Sequence, residues 1–310
     1  MHICQGSQNF PKLINKPVVA LGNFDGVHIG HRRLIEKTIG EAEKSGGTSV
    51  VYTFDPHPVK ILAPDECPPL IQTLKQRVDT FENLGLDYCV VEKFTQEFAR
   101  QTAESFFETI ILNRLHASAI VVGYDFTFGF HRHGTGKLLE NLGSLHNVDV
   151  HVLDAQFFDE TLVSSTNIRN LVMEGKVLAA GKLLGRCYSI TGRVVKGRGI
   201  GKTLGAHTAN IESENELVPK NGIYLTLTAS GKNRHISVTS IGINPTFLNA
   251  PFSIETHLID ADINLLGQTI TIEFLDFIRD QKAFDSQEEL REQIKRDIKL
   301  ARMLHKKKEI

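Results

Sequence analysis

The sequence has 310 residues, of which 41% are hydrophobic and 23% are charged, as in globular proteins with one large or two ordinary domains. Its 35 basic and 36 acidic residues give a net charge of −1, which argues against a nucleic-acid partner, because binding to a phosphate backbone needs a basic face. It has no apolar run long enough to cross a bilayer and no secretory signal pattern, and its four cysteines show no paired spacing. These features predict a cytoplasmic protein without a membrane partner.

The first half of the chain alternates strand and helix patterns. An edge strand or leader within residues 1–16 is followed by strands at 18–21, 49–54, 88–91 and 119–122 and within 145–153, with helices at 31–44, after the capping box at 73–76, and at 103–115. This alternation predicts a doubly wound α/β fold with a parallel sheet covered on both faces. Ligands of such sheets bind beyond the carboxyl ends of the strands. Four segments are expected at that edge: 22–31, 54–58, 123–129 and 161–169.

Near residue 185 the pattern changes to a run of strands with no helix between them. The strand patterns cover residues 188–195, 222–229, 235–243, 253–259 and 269–277. Consecutive antiparallel strands of this kind predict a small closed β-barrel. Ser286 and Glu289 then form a capping box for one terminal helix. We therefore predict an N-terminal domain over residues 1–184 and a C-terminal barrel domain with a terminal helix over residues 185–310.

The segment 22–31 has the sequence GNFDGVHIGH and joins the first apolar strand to a helix pattern. Its glycines allow a tight turn and a close approach of a ligand to the backbone, and a helix N-terminus favours a bound phosphate. His28 and His31 lie three residues apart and therefore share one face of the first helical turn. The pattern indicates a site for the α-phosphate of a nucleotide, although single histidines and glycine turns are more often structural. The sequence contains no P-loop motif.

Two further segments carry groups suited to phosphates. The first begins with the hydroxyl groups of Ser164, Ser165 and Thr166 at the start of a predicted helix, followed by Arg169 as a forked donor to a leaving pyrophosphate. The alternative is an ordinary capped helix with a surface arginine. The second is the basic, glycine-rich segment 197–205, whose N–H groups and lysine can cover nucleotide phosphates.

The His-x-Gly-His sequence after the first strand resembles the signature of nucleotidyltransferases related to class I aminoacyl-tRNA synthetases. The whole string at 22–31 and the Ser-Ser-Thr-x-Ile-Arg sequence at 164–169 are similar to motifs of bacterial FAD synthetases, which join a riboflavin kinase to an FMN adenylyltransferase. The glycine-rich segment and the Thr-Ala-Asn sequence at 208–210 resemble the riboflavin kinase signature, so the resemblance covers residues 15–310. It implies a bifunctional enzyme that phosphorylates riboflavin to FMN and adenylylates FMN to FAD, with ATP as co-substrate and Mg²⁺ as cofactor.

The resemblance also implies roles for residues of the N-terminal domain. The expected catalytic residues are His28, His31 and Arg169. The expected contacts of ATP and its phosphates are Gly22, Phe24, Asp25, Gly30, Ser164, Ser165 and Thr166. The expected flavin contacts are Phe54, His57, Asp125 and Phe128. Aromatic rings suit stacking on an isoalloxazine, but aromatic residues at strand ends also often belong to the core.

In the C-terminal domain, Glu255 falls where the family has its catalytic glutamate, and it is expected to accept the proton of the riboflavin 5′-hydroxyl. By spacing alone it would be a solvent-facing residue of a strand. Thr208 and Asn210 are expected as Mg²⁺ ligands in a turn. Arg279 lies in another matching segment and is expected to bind the flavin. The expected contacts of the ATP phosphates are Gly197, Arg198, Gly199, Gly201 and Lys202.

One departure from the family pattern concerns the kinase. The usual Gly-Phe-Pro-Thr-Ala-Asn is written here as GAHTAN at 205–210, which removes an apolar contact and frees φ before the threonine. Two alternatives stay open: a monofunctional FMN adenylyltransferase with a flavin-binding, kinase-impaired C-terminal domain, or a flavin-sensing regulatory protein. The sequence leaves the oligomeric state open between a monomer and weak self-association.

Overall fold

The structure is a computed structural model that describes residues 1–197, 208–243, 251–261 and 263–308. The strands are β1 His2–Gln5, β2 Pro17–Leu21, β3 Thr48–Asp55, β4 Tyr88–Lys93, β5 Ala119–Gly123, β6 Thr127–Phe128, β7 Gly134–Thr135, β8 Asp149–Leu153, β9 Phe157–Phe158, β10 Thr161–Leu162, β11 Tyr188–Val195, β12 Thr208–Ser213, β13 Gly222–Ser230, β14 Asn233–Ile243, β15 Phe252–Leu258 and β16 Thr269–Arg279. The α-helices are α1 Ile29–Ser45, α2 Pro58–Leu62, α3 Leu74–Asn83, α4 Ala103–Phe106, α5 Gly136–His146, α6 Ser165–Met173, α7 Val177–Leu184 and α8 Gln287–Lys308. A π-helix spans Phe107–Leu112, and short 3-10 helices span Ser7–Asn9, Pro64–Glu66, Phe98–Arg100 and Phe130–Arg132.

These elements form two compact units. The first comprises Met1–Pro69 and Leu74–Ser164, and the second comprises Leu70–Thr73 and Ser165–Ile310. The segment Leu70–Thr73 belongs to the second unit through hydrogen bonds with residues that follow β12 there. The Leu70 N–H donates to Glu216 Oε2 at 3.0 Å, and the Leu217 N–H donates to the Leu70 carbonyl at 3.3 Å.

The first unit is built on a six-stranded parallel sheet with the strand order β1-β4-β3-β2-β5-β8. All five residues of the central strand β2 are buried. Val19 and Leu21 belong to the core on one face of the sheet, whereas Val18 and Ala20 belong to the core on the other face. Because successive side chains of a strand point to opposite faces, both faces are covered. This confirms the predicted α/β fold with a parallel sheet.

Helix α1 shows how the local sequence produces one of these covering elements. Leu34, Ile35 and Ala42 are buried and share the core that contains Val18. Their spacing places them on one side of the helix, which packs against the sheet. Gly46 ends the helix in the left-handed conformation with φ of 62°, and its N–H donates back to the last turn.

The strand order reverses between β2 and β5, because β3 and β4 follow on one side of β2 and β5 and β8 lie on the other. In open α/β sheets the ligand crevice lies at such a reversal, outside the carboxyl ends of the strands. The segments 22–31, 54–58 and 123–129 begin at or directly after the carboxyl ends of β2, β3 and β5, which are neighbours, so they start at one edge of the sheet as expected. Residues 161–169 are divided between the two units, and their expected place at this edge stays a prediction.

The helix predicted at 103–115 takes a different form. It is α-helical only over Ala103–Phe106 and continues as a π-helix over Phe107–Leu112. The apolar pattern is kept, since Phe107, Ile110 and Ile111 are buried. A hydrophobic pattern reports which side chains face the core, but it does not distinguish an α-turn from a slightly wider π-turn. None of the helices in the part of the chain that the structure describes is long and apolar enough to cross a membrane.

The second unit contains a closed antiparallel barrel with the strand order β11-β12-β15-β14-β13-β16. The predicted barrel and its terminal helix α8 are confirmed, with one correction. Thr208-Ala209-Asn210 begins the strand β12 and does not form a turn. β12 pairs with β11 on one side and with β15 on the other, so its extended form depends on this pairing more than on the local sequence pattern.

Helices α6 and α7 also belong to the second unit. The Lys220 N–H donates to the Val172 carbonyl of α6 at 3.3 Å, and Val177, Leu183 and Leu184 of α7 are buried. The compact units therefore divide at residues 164 and 165, earlier than the predicted domain boundary at 184 and 185. Where the two catalytic domains divide stays a prediction.

Candidate active sites

The turn between β2 and α1 contains three residues with a left-handed backbone. The φ angles are 52° at Phe24, 86° at Gly26 and 37° at Val27. Gly26 adopts this conformation without steric cost, whereas the other two adopt it against their intrinsic preference. Phe24 and Val27 are fully buried, and the Phe24 ring lies edge-on to both His31 and Phe81. Core packing thus holds a strained turn, a combination that is common at functional sites.

His28 and His31 stack on each other at the start of α1, with ring centroids 3.6 Å apart and an angle of 15° between the planes. His28 is also the N-cap of the helix, because its Nδ1 accepts the His31 backbone N–H at 3.2 Å. A neutral imidazole that accepts at Nδ1 carries its proton on Nε2, which makes that nitrogen a donor. The structure thus brings the two predicted catalytic imidazoles together at a helix N-terminus.

Gly22 and Gly30 are both packed against rings of this turn. A Cβ on Gly22 would lie 3.2 Å from the Phe24 ring, and a Cβ on Gly30 would lie 3.2 Å from the His28 imidazole. Asp25 is buried at 3% exposure within the same turn. Larger residues at the two glycines would therefore press on the rings that shape the turn. The predicted contacts of these residues with ATP stay predictions.

The two aromatic residues assigned to the flavin lie in an aromatic cluster of the first unit. Phe54 is partly buried at the end of β3, and its ring meets Tyr52, Phe94 and Phe98 edge-on at centroid distances of 5.4 to 5.7 Å. Phe128 is only 7% exposed and belongs to the core of that face of the sheet. Phe54 therefore retains an exposed part at the crevice edge, whereas Phe128 is mainly a core residue. Their contacts with a flavin stay predictions.

The two polar residues assigned to the flavin differ in their local roles. His57 is buried and caps α2, because its Nδ1 accepts the Val59 N–H at 3.3 Å. Asp125 is exposed just beyond the carboxyl end of β5. A solvent-exposed carboxylate at this edge of the sheet suits an acceptor for ligand hydroxyl or N–H groups.

The second predicted phosphate segment begins a helix, as the sequence indicates. Ser164 ends the first unit, and α6 begins at Ser165 in the second unit. Thr166 is exposed, whereas Arg169 is 8% exposed. The surface arginine of the alternative interpretation is therefore absent here, since this guanidinium is mostly buried. Its role towards pyrophosphate stays a prediction.

The residues assigned to kinase chemistry come together on two paired strands. Asn210 of β12 lies directly opposite Glu255 of β15 in the ladder. Thr208 is two residues before Asn210 and therefore shares its face. The Thr208 hydroxyl donates to Glu255 Oε2 at 3.3 Å. The structure thus unites on one face the predicted base and both predicted metal ligands.

Ser253 is a neighbour of this group that the sequence analysis did not identify. Its hydroxyl donates to Glu255 Oε1 at 3.1 Å, so that each carboxylate oxygen accepts one hydroxyl hydrogen bond. These two contacts orient the carboxylate on its strand. The sequence did contain a signal, since a residue two positions before Glu255 on a strand must lie on the same face.

Gly197, predicted to contact ATP phosphates, approaches the same face. A Cβ at Gly197 would lie 2.1 Å from Nδ2 of Asn210, so only glycine allows this close approach. A cavity of about 330 Å³ lies beside it, with Thr208, Thr256 and Leu258 in its lining. Sites for small molecules have volumes of this order, from about 300 Å³ upwards. The other predicted phosphate contacts of this segment lie outside the described residues; they are Arg198, Gly199, Gly201 and Lys202. Ala206 and His207, which depart from the family pattern, lie outside them as well.

The donor atoms on this face fit Mg²⁺. The Thr208 hydroxyl, the Asn210 side-chain carbonyl and the Glu255 carboxylate offer oxygen, the ligand atom that Mg²⁺ prefers. Within the described ranges there is no group of three or more His, Cys, Asp and Glu residues that could hold a metal ion. A magnesium ion here would therefore depend on few protein oxygens and on phosphate and water for its remaining ligands.

Arg279, assigned to the flavin, is held by the terminal helix. Its Nε and Nη2 donate to the Asp297 carboxylate of α8 at 2.7 to 3.2 Å. Asp297 is 5% exposed, so the pair is largely shielded from water. The contact fastens β16 to α8, and a flavin contact of Arg279 stays a prediction.

Comparisons with known proteins agree with the two halves of this arrangement. A sequence model described as FAD synthetase matches residues 11–167, and one described as riboflavin kinase matches residues 184–305. A bifunctional riboflavin kinase/FMN adenylyltransferase from Buchnera aphidicola of Acyrthosiphon pisum is 34% identical over 96% of this chain and 96% of its own length. The protein of the same name from Escherichia coli K12 is 33% identical over 92% of this chain and 91% of its own length.

A solved structure described as a macrolide-efflux protein from Streptococcus pneumoniae is also similar, with a TM-score of 0.87 and 30% identity. It covers 97% of this chain and 98% of its own. Sequence and fold therefore agree over nearly the whole length. The chain belongs to the family of bifunctional riboflavin kinases/FMN adenylyltransferases.

Proposed function

We propose that the second unit phosphorylates riboflavin to FMN and that the first unit transfers the AMP group of ATP to FMN, which yields FAD and pyrophosphate. The observation that carries this proposal is that the FAD synthetase and riboflavin kinase models match successive parts of one chain. The geometry supports it. The first unit has a histidine pair at a helix N-terminus, and the second has the Glu255 carboxylate beside Thr208 and Asn210, whose side-chain oxygens could bind a metal.

In the adenylyltransferase reaction, a phosphate oxygen of FMN attacks the α-phosphorus of ATP, and the bond to the β-phosphate breaks. The chain supplies no nucleophile for this displacement. We assign to His28 and His31 the stabilisation of the charge that develops on the α-phosphate, because their imidazoles stand beside the backbone N–H groups at the start of α1. Arg169, Ser164, Ser165 and Thr166 are proposed to bind the departing pyrophosphate.

In the kinase reaction, Glu255 accepts the proton of the riboflavin 5′-hydroxyl as that oxygen attacks the γ-phosphorus of ATP, and the bond from this phosphorus to the oxygen bridging to the β-phosphate breaks to release ADP. Ser253 and Thr208 hold its two carboxylate oxygens in place. Thr208 and Asn210 would hold Mg²⁺, and bound Mg²⁺ neutralises charge on the ATP phosphates. The Thr208 hydroxyl can donate its hydrogen to Glu255 and still offer a lone pair to a metal.

We also propose that the enzyme works in the cytoplasm, on small-molecule substrates, as a monomer or a weakly self-associating chain. None of the four cysteines, all of which lie among the described residues, forms a disulfide. Free thiols are typical of proteins in reducing compartments.

The direct test is a chromatographic assay of the purified full chain with ATP, Mg²⁺ and either riboflavin or FMN. We expect riboflavin to yield FMN and then FAD, FMN to yield FAD, and EDTA to stop both reactions. Glu255→Gln keeps a similar shape but cannot accept the proton, so it should lose FMN formation and keep FAD formation from FMN. FAD formation alone in the wild type would favour the monofunctional alternative, and flavin binding without any product would favour the regulatory protein.

A further inference from the structure

Arg77 is a buried arginine of the first unit to which the proposed reaction gives no role. It lies on α3, and only 2% of its surface is exposed, which makes it one of the largest fully buried side chains among the described residues. Burial of a guanidinium is costly unless the charge is paired and hydrogen-bonded. The contacts of Arg77 therefore indicate what its burial serves.

The guanidinium joins two segments that leave the sheet side by side. Its Nη1 donates to the Asn23 carbonyl at 2.8 Å and to the Thr53 hydroxyl at 3.3 Å. Its Nη2 donates to the Phe54 carbonyl at 3.4 Å and lies 3.9 Å from the Asp55 carboxylate. Asn23 opens the turn that leads to His28, whereas Phe54 and Asp55 end β3. One side chain thus bridges the turn assigned to ATP and the strand end assigned to the flavin.

The shape of the guanidinium matters for this bridge. Its planar fork presents two terminal nitrogens in a fixed geometry, whereas a lysine presents one ammonium group on a flexible stem. Burial lowers the pKa of Arg77, while the nearby Asp25 and Asp55 carboxylates act in the opposite direction. An arginine still keeps its charge at neutral pH. Its Nε is buried without a hydrogen-bond partner among the described residues, so the contacts are concentrated at the two ends of the fork.

We propose that Arg77 is a positioning residue for the adenylyltransferase reaction, which fixes the ATP-binding turn at a set distance from the flavin-binding end of β3. The inference rests on the proposed function of the first unit. The FMN phosphate must approach the α-phosphorus in line with the bond that breaks, so a small displacement of one substrate relative to the other lowers the rate of the chemical step. Each segment keeps its own contacts with its ligand when the bridge is removed.

The test compares Arg77→Lys and Arg77→Met with the wild-type full chain. A misplacement of about 1 Å can cost a factor of roughly 100 in rate, so we expect kcat for FAD formation from FMN to fall by about 10- to 100-fold. The separate dissociation constants of ATP and FMN should stay close to the wild-type values. Arg77→Lys retains the charge and should lose less than Arg77→Met. FMN formation from riboflavin is the internal control and should not change.

Arg114→Met is the matched control in the same unit. Arg114 donates to the Ser7 hydroxyl at 3.0 Å, and among the described residues no hydrogen bond joins it to the turn or to the end of β3, so its replacement should leave kcat for FAD formation unchanged. Rates are expressed per folded molecule, with the folded fraction taken from thermal unfolding. The proposal is overturned if Arg77→Met has the kcat of Arg114→Met, or if weaker substrate binding explains its whole loss. A first unit that unfolds in both Arg77 variants would also overturn it, because the bridge would then serve the fold alone. Absence of FAD formation in the wild type would instead refute the proposed function.

Discussion

His28 caps α1 through Nδ1, and we propose that the same imidazole also stabilises the charge on the α-phosphate of ATP. Substitutions can separate the two. His28→Asn keeps a side-chain acceptor suited to an N-cap, whereas His28→Ala removes both the cap and the donor. We expect both variants to lose FAD formation by a factor of about 100 or more, as when one transition-state donor is removed. Only His28→Ala should also lower the stability of the first unit, by about 1 kcal/mol.

The measurements are FAD formation from FMN and thermal unfolding of the same preparations. Riboflavin kinase activity should stay at the wild-type level in both variants, because the proposed kinase residues belong to the other unit. If His28→Asn forms FAD at the wild-type rate, His28 is a structural cap only. Equal loss of both activities in a folded variant would contradict the assignment of two separate sites.

The Asn210 side chain lies so close to Gly197 that a Cβ there would clash with it, and this gives a second prediction for single residues. Asn210→Ala removes a proposed metal ligand and should abolish kinase turnover. Gly197→Ala should lower the same activity without removing any ligand, because the new Cβ would lie 2.1 Å from Nδ2 and displace the amide. Initial rates of FMN formation over a range of Mg²⁺ concentrations check both variants.

Gly231→Ala is the matched control for this substitution in the barrel. Its Cβ would meet no atom within 4 Å, although the residue has a φ of 58° and the variant should be slightly less stable. We expect it to keep kinase activity. Wild-type activity of Gly197→Ala, or a Mg²⁺ dependence of Asn210→Ala equal to that of the wild type, would show that this face does not hold the metal.

At the scale of elements, two helical glycines of the first unit should respond to alanine in opposite ways. Gly40 lies inside α1 with no atom within 4 Å of an added Cβ, so Gly40→Ala should stabilise the unit by about 0.5–1 kcal/mol. Gly143 lies in α5, where a Cβ would come within 2.5 Å of the Val148 carbonyl and 2.6 Å of Val150 Cγ2. Gly143→Ala should therefore destabilise the unit by about 1–3 kcal/mol.

Urea unfolding of the full chain, followed by a probe of the first unit, checks this pair. Unchanged slopes with shifted midpoints are expected, because neither substitution alters the surface exposed on unfolding. Stabilisation by Gly143→Ala would mean that α5 and β8 do not pack as closely as the structure indicates.

At the scale of the whole molecule, the second unit includes residues 165–184, which the predicted domain boundary left out. We therefore expect a fragment that begins at residue 165 to be more stable than one that begins at residue 185. The fragment 165–310 keeps α6 and α7, whose Val177, Leu183 and Leu184 are buried, and the hydrogen bond from Lys220 to Val172. Each buried leucine contributes on the order of 1.5–3 kcal/mol, so the fragment 185–310 should be clearly less stable. We expect kinase activity in the longer fragment, which still lacks the Leu70–Thr73 segment.

Thermal unfolding and FMN formation by the two fragments provide the check, with the full chain as reference. A fragment 185–310 as stable as 165–310 would show that α6 and α7 contribute little to the barrel. A folded 165–310 that binds neither riboflavin nor ADP would contradict the assignment of the kinase to the second unit.

Much of the fold could be predicted from the sequence, because strand and helix patterns are local. The apolar run of β2, the helical spacing of Leu34, Ile35 and Ala42, and the GNFDGVHIGH turn each lie within a short stretch of sequence. The contact between His28 and His31 is also local, because His28 caps the helix on which His31 lies three residues later.

Contacts between distant residues were decided only by the tertiary structure. Thr208 and Asn210 lie on a strand because β12 pairs with β15, which also sets Asn210 opposite Glu255. Arg279 meets Asp297 only when β16 and α8 pack together.

Arg77 is the clearest case, since an arginine in an amphipathic helix normally predicts a solvated side chain. The parallel order of β2 and β3 brings the Asn23 carbonyl and the end of β3 close together, and this creates the buried acceptors that the guanidinium joins. The sequence by itself therefore determined the elements and the motif in which the histidines lie. Strand order and packing decided which polar groups meet, because those contacts join residues whose local sequences carry no information about each other.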